Sequence, residues 1–336
     1  MPTRHRLLAA LVAVCWGLNF LAIDASLQHF PPFFLVALRF ALLAVPTMLF
    51  VPFPTVPLRW LVGYGLGFGT FQFLFLYWGM AAGMPVGLSS LVLQSSAPFT
   101  VVLASLFLGH RLSPRAALGV LVAAVGLAVV GWQRLDGPAA FAPFVLVVAG
   151  AFAWAVGNIC TAQAQAPNPL HLTLWMSVVP PLPMLALALV VEGPRRIADS
   201  LTRWHSPDLA PALLGLAYTV VIGTVVGSGI WTWLMARHPA GTVAPFSMLV
   251  PVVGMTAAWV VLGEGVSRGE AAGALLVVGG VLVATRPPRP AQPAAVGPTT
   301  ASSSGWLKRS LASSETSSSV TASMRRTTSS MESSSS

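Results

Sequence analysis

Residues 84–119 read MPVGLSSLVLQSSAPFTVVLASLFLGHRLSPRAALG, and residues 238–273 read HPAGTVAPFSMLVPVVGMTAAWVVLGEGVSRGEAAG. At one constant offset, Pro85, Gly87, Leu108, Gly109, Ser113 and Gly119 recur as Pro239, Gly241, Leu262, Gly263, Ser267 and Gly273. Pro98 meets Pro251 after a one-residue slip. A second echo sits further upstream, where Trp16 and Asn19 are answered by Trp154 and Asn158. The chain therefore reads as two related halves, 1–136 and 137–286.

What each half is made of follows from hydropathy. A hydrocarbon core about 30 Å thick takes roughly 20 apolar residues per helix. Ten runs of that kind occur, near 6–24, 31–51, 58–81, 86–108, 114–132, 141–163, 170–191, 209–234, 240–262 and 268–286. Short joints punctuate them, such as Pro31-Pro32, Pro52-Phe53-Pro54, Pro167-Asn168-Pro169 and His238-Pro239, where proline removes a donor or restricts the backbone. Five spans per half is an odd number, so the halves are expected to face opposite ways across the bilayer. Inverted repeats of that kind place a substrate site between them.

Composition excludes most alternatives. Hydrophobic residues make up 55% of the 336 and charged residues 8%, against roughly 25% charged in a soluble domain. Lipid, not water, must cover most of the surface. The one lysine, Lys308, lies in the tail, so the body can hold neither a P-loop nor a Schiff-base lysine. Cys15 and Cys160 sit apart in apolar runs and make no metal or redox motif. The net charge of +9 comes from arginines scattered at span ends, not from a basic face, so no nucleic acid is expected as a partner. With an N-terminus in the cytoplasm, Arg4, Arg6, Arg59, Arg111, Arg115 and Arg237 fall inside with the basic tail. Arg134, Arg195, Arg196, Arg203 and Arg268 fall outside; the overall bias supports this orientation, although the loop 192–208 departs from the positive-inside rule with three arginines, accompanied by Glu192, Asp199 and Asp208. Residues 287–336 open on Pro287-Pro288-Arg289-Pro290 and become Ser/Thr-rich, a composition expected to be a disordered cytoplasmic tail.

Several strings resemble a known family: WGLNF at 16–20, PPFFLVALRF at 31–40, VPLRWLVGYGL at 56–66, GMPVGLSSLVLQ at 83–94, WAVGNI at 154–159, VVGSGIW at 225–231 and APFSMLVPVVG at 244–254. Together they resemble the EamA branch of the drug/metabolite transporter superfamily, nearest to its bacterial O-acetylserine/cysteine exporters, over residues 6–286. The resemblance implies a ten-helix inner-membrane exporter of amino acids and related metabolites. One departure is visible. The family's Gly-Glu pair after the fourth and ninth helices survives as Gly263-Glu264 but reads Gly109-His110 in the first half.

Polar side chains inside spans are the candidate substrate contacts, because helices in lipid avoid them. Arg39 stands about eight residues into the second span, roughly 12 Å deep at 1.5 Å per residue. No carboxylate lies at that depth, so a substrate carboxylate is its natural partner through the guanidinium fork; outward snorkelling, or bonding to helix carbonyls, is the competing reading. Asn19 and Asn158 hold equivalent places and are expected on facing walls of one cavity, or else as interhelical glue. Gln72 and Gln94 can accept from an ammonium and donate to a carboxylate. Trp16, Trp154 and Trp175 offer flat walls, and Ser228 adds a hydroxyl in the second half. Together these expectations describe an all-α membrane protein and secondary carrier of zwitterionic small molecules, without cofactor, metal or catalysis. A broader exporter of aromatic amino acids or drugs is the alternative, and the sequence leaves a homodimer open. Asp24 and Glu264 lie at span ends, so movement down the substrate gradient is the simpler expectation unless one of them faces a water-filled vestibule.

Overall fold

The computed structural model describes residues 1–109, 112–135, 138–238 and 240–285, and these are helical wherever they are regular. His110 and the tail from Arg286 lie outside the described residues. The first half runs α1 (Thr3–Leu27), α2 (Pro32–Phe50), α3 (Leu58–Tyr64), a π-helical segment Gly65–Gln72, α4 (Phe73–Ala81), α5 (Val86–Leu93), α6 (Ser96–Phe107) and α7 (Pro114–Trp132). The second runs α8 (Pro138–Ala164), α9 (Pro169–Met176), α10 (Pro181–Val191), α11 (Pro194–Thr202), α12 (Leu209–Ala217), a second π-helical segment Tyr218–Val226 and α13 (Gly227–Arg237). It closes with α14 (Ala240–Val243), a 3₁₀ turn Ala244–Met248, α15 (Leu249–Leu262) and α16 (Arg268–Ala284).

Among the described residues, eight helical stretches are long and apolar enough to cross a bilayer. The other two runs read from the sequence are helical as well, at 58–81 and at Arg268–Ala284. The former is diluted by glycines and Gln72, and the latter has 17 residues. Large apolar side chains such as Leu49, Phe50, Val190 and Leu214 are exposed on the outside of the bundle, where only lipid would tolerate so many.

Positions paired by the internal repeat adopt matching local structure. Gly109 and Gly263 end their helices at φ +67° and +70°, a left-handed conformation that glycine enters without a Cβ penalty. Ser113 and Ser267 both cap the next helix, each hydroxyl accepting a backbone N–H at 3.1 Å. Ser267 completes a capping box with Glu270. The two π segments match too: Thr70 donates to the Gly65 carbonyl at 3.1 Å and Thr224 to the Thr219 carbonyl at 2.9 Å, each reaching back five residues. Spans four and nine break at corresponding places, Gln94-Ser95 and Ala244–Met248. Pro98 and Pro251 lie just downstream, and each lacks the N–H that would continue the ladder across the break.

Packing crosses between the halves. α1 lies against α12, the second π segment, α13 and α15, whereas α8 lies against α3, the first π segment, α4, α5 and α6. α2 pairs with α10, and α7 with α16. Each first helix is thus embraced by the third and fourth spans of the other half.

Two carboxylates fasten that arrangement at one end of the bundle. Glu264 accepts from the Val86 and Gly87 amides at 2.8 and 2.9 Å, and Glu192 from the Phe33 and Phe34 amides at 2.7 and 3.0 Å. Each fills the first-turn donors of a helix from the first half, where the dipole favours an anion. Glu264→Ala leaves two amides without an acceptor, and should lower the melting temperature by the equivalent of about 2–4 kcal/mol. A melting temperature equal to wild type would reject the clamp.

Glu192 carries a pH signature. Burial pushes its carboxyl above the ordinary range, and the Phe33 and Phe34 amides and Arg196 pull it back only in part. A raised folded pKa means the folded chain takes up the proton first as pH falls, so stability rises on acidification and is complete below the unfolded value. Against Glu192→Gln, which does not titrate, wild type should gain melting temperature as pH falls from 7 toward 4.5. Thermal scans across that range test the sign.

Candidate functional site

Arg39 is a buried charge, 4% exposed. It lies on α2 with no carboxylate beside it, and the one ion pair among the described residues is Arg134–Glu270 at 2.8 Å, at the ends of α7 and α16. Its guanidinium is held by neutral groups instead. Nη1 donates to the Tyr77 hydroxyl at 2.9 Å and Nη2 to the Thr224 hydroxyl at 3.1 Å. The group sits 4.0 Å above the Phe73 ring, a cation–π distance. Nε has no partner. Phe73 and Tyr77 come from α4 and Thr224 from the second π segment, so the cation joins the two halves.

The second π segment also meets α1. Trp16 Nε1 donates to the Gly223 carbonyl at 2.8 Å, and Asn19 Oδ1 lies 2.8 Å from where a Cβ on Gly223 would stand. A side chain at Gly223 would push the Asn19 amide away from the π segment. Asn19 Oδ1 and the Thr219 hydroxyl are buried without a partner, as is Arg39 Nε. Buried polar atoms are ordinarily satisfied, so three orphans around one helical distortion mark a place built for a polar guest. π distortions concentrate at such sites. The guest's chemistry follows from the groups: a forked cation for a carboxylate, and an amide oxygen and a hydroxyl to accept from an ammonium.

The Trp154 side reaches the same point through rings. Trp154 packs edge-on to Phe68 at 5.7 Å, and Phe68 to Phe73 at 5.7 Å. Asn158 donates to the Thr100 hydroxyl at 3.0 Å. Asn19 lies beside the second π segment, and the helix that carries Asn158 packs on the first. Gln72 is buried in the first π segment with Oε1 unpartnered. Gln94 Nε2 donates to the Ser247 carbonyl at 2.8 Å, tying the break of span four to that of span nine. Trp175 is held at the rim, its Nε1 shared between the carbonyls of Val51 and Pro52 at 3.1 and 3.0 Å. Ser228 is half-buried on α13, next to the Gly227 that faces Trp16.

Sequence reading missed Tyr77, Phe73, Thr219 and Thr224. The first two stand four apart on one face of α4, and the threonines stand five apart, a spacing that suits a π turn and not an α-helix. Asp24, at the other end of α1 from the N-terminus, lines a cavity of about 260 Å³. Glu264 has both oxygens bonded to amides. Of the two span-end acids, Asp24 is the one that faces a cavity.

Comparison with known proteins places this arrangement. The EamA-like transporter family matches residues 4–132 and 142–286, one copy over each half. The chain belongs to the EamA-like transporter family. A Salmonella typhimurium member named "Probable amino-acid metabolite efflux pump" is 40% identical over 288 residues, 84% of this chain and 95% of its own. An Escherichia coli K12 member of the same name is 38% identical with the same coverage. A Streptantibioticus cattleyicolor protein named "Probable terminal-alkyne amino-acid exporter" is 27% identical over 66% of this chain and 70% of its own. A solved crystal structure, 21% identical, shares the fold with a TM-score of 0.54 over 85% of this chain and 98% of that one. EamA membership makes this chain a multi-pass membrane protein with a small-molecule substrate.

Proposed function

We propose that this EamA protein exports amino acids and related zwitterionic metabolites, of the cysteine or O-acetylserine kind, across the inner membrane as a secondary carrier. The observation that carries it is Arg39: a buried guanidinium with two hydroxyl partners and no anion. A charge at that depth costs at least ~2.5–3.5 kcal/mol without a partner. A substrate carboxylate repays it by displacing the Tyr77 and Thr224 hydroxyls. Because Thr224 belongs to a π segment of the other half, that exchange would loosen one half from the other, which is what a carrier needs for alternating access. The names of the Salmonella and Escherichia relatives agree with this substrate class.

In this reading the chain crosses ten times, as two inverted five-span halves with both ends in the cytoplasm. The matched caps, π segments and breaks support it, as does the packing of each first helix into the opposite half. The basic residues give the orientation. Uptake of labelled amino acids into inverted vesicles tests the function, and counterflow separates a carrier from a channel, since only a carrier accelerates exchange. A second reading, export of aromatic amino acids, is favoured by the Trp16, Phe68, Phe73 and Trp154 rings; competition by L-phenylalanine distinguishes it. Because Asp24 faces a cavity, a pH gradient imposed with equal substrate on both sides of proteoliposomes decides the coupling: movement down the substrate gradient alone gives no uphill transport, and uphill transport lost in Asp24→Asn assigns the proton to Asp24.

A further inference from the structure

The cavity beside Asp24 has charges of both signs on its wall that do not neutralise one another. It is about 260 Å³, room for one amino acid, and is lined by Asp24 of α1, Gln28 and His29 just beyond that helix, Met80, and Arg196 and Arg203 around α11. No ion pair forms between Asp24 and either arginine among the described residues. Arg203 makes only a 3.4 Å bond to the His29 carbonyl. Arg196 makes no ion pair with Glu192 among the described residues, and the Glu192 oxygens are taken by the Phe33 and Phe34 amides. The wall itself is held firmly, because His29 Nε2 bonds the Ser200 carbonyl at 2.7 Å and so ties α11 to the end of α1. One anion and two cations, kept apart across such a gap, match a zwitterion better than any singly charged solute.

The cavity lies further along α1 than the residues around Arg39. Asp24 is five residues beyond Asn19 on α1, about 7.5 Å along the axis. Met80 is less than one turn beyond Tyr77 on α4. In both places α1 carries one group that can accept from an ammonium, Asn19 or Asp24, and other elements carry the guanidinium. We propose that this cavity is a second, weaker zwitterion site, in which Asp24 receives the ammonium and Arg196 and Arg203 the carboxylate. Substrate released from Arg39 rests there before it leaves. This rests on the export reading above.

Equilibrium binding of O-acetyl-L-serine to purified protein in nanodiscs at pH 6.5 tests it. Arg39→Gln removes the deep site and should leave one site of lower affinity. Adding Asp24→Asn or Arg196→Gln should weaken that site roughly tenfold or more, the loss of one charge-assisted contact, whereas Asp24→Glu should restore it. 3-Acetoxypropanoate, which lacks the ammonium, should not compete there. No binding by Arg39→Gln protein, or binding indifferent to Asp24→Asn, overturns the second site. The single substitutions Asp24→Asn and Arg196→Gln in otherwise wild-type protein give an independent reading should Arg39→Gln not yield monodisperse protein. They should remove the weaker phase of binding and leave the tighter one. Transport unchanged by Arg39→Gln would instead count against the deep site alone.

Discussion

Arg39→Gln is expected to abolish saturable transport while leaving the protein as stable as wild type or more so. The two effects have opposite signs for one reason. The guanidinium costs folding free energy because it is buried among hydroxyls and rings with no anion, and a neutral amide removes most of that cost. The same substitution removes the fork that a carboxylate would engage. Arg39→Lys should be intermediate, since the ammonium keeps the charge but cannot reach Tyr77 and Thr224 together; affinity should fall by about tenfold or more. Transport assays in proteoliposomes paired with thermal unfolding of the same preparations check both halves of the claim. An unchanged KM in Arg39→Gln would sink the assignment. A large drop in melting temperature would show that Arg39 is structural.

Gly280→Val should be the most damaging change for folding. α7 and α16 cross with almost no side chain between them. A Cβ on Gly280 would stand 2.6 Å from the Gly119 carbonyl oxygen and press on the Ala123 backbone, and neither of these is a flexible side-chain end that could move aside. Helices in lipid associate through such close approaches of small residues, because lipid leaves little hydrophobic drive between them. Separating the pair costs an estimated 3 kcal/mol or more, enough to prevent stable accumulation. Gly279→Val, whose Cβ would meet nothing within 4 Å, is the control. Yields and melting temperatures of the two variants should differ sharply.

Much of this fold was legible in the sequence because the bilayer permits few solutions. Ten apolar runs could only be helices, and all ten positions are helical. The offset that pairs Ser113 with Ser267 and Gly109 with Gly263 picked out residues whose roles as caps and helix ends prove alike. Arg39 was legible for the same reason, since a charge at that depth needs an explanation. Its surroundings were not. Tyr77 and Phe73 look like ordinary apolar-face residues, and the contact from Thr224 exists only because the helix widens locally. Asn19 and Asn158 were legible as a repeat-related pair, but their partners were not: Asn19 meets Gly223 of the second π segment and Asn158 the Thr100 hydroxyl of α6. Trp175 shows the limit of residue type as a guide: its indole N–H ties a loop at the rim.

The two glutamate clamps also bear on how the chain is made. The acceptors for the amides of Phe33 and Phe34 and of Val86 and Gly87 are Glu192 and Glu264, both in the second half. When α2 and α5 enter the membrane during synthesis, those acceptors have not yet been translated. At 5–20 residues per second, the ribosome needs on the order of ten seconds or more to travel from Phe33 to Glu192, and again from Gly87 to Glu264. For that interval the first half has exposed helix starts, which water or lipid headgroups must satisfy. It is therefore an unfinished partner, not a stable intermediate, and it becomes locked only as the last spans arrive. A chain truncated before Glu192 should accordingly be a ready substrate for membrane quality-control proteases, although every one of its own apolar runs is intact.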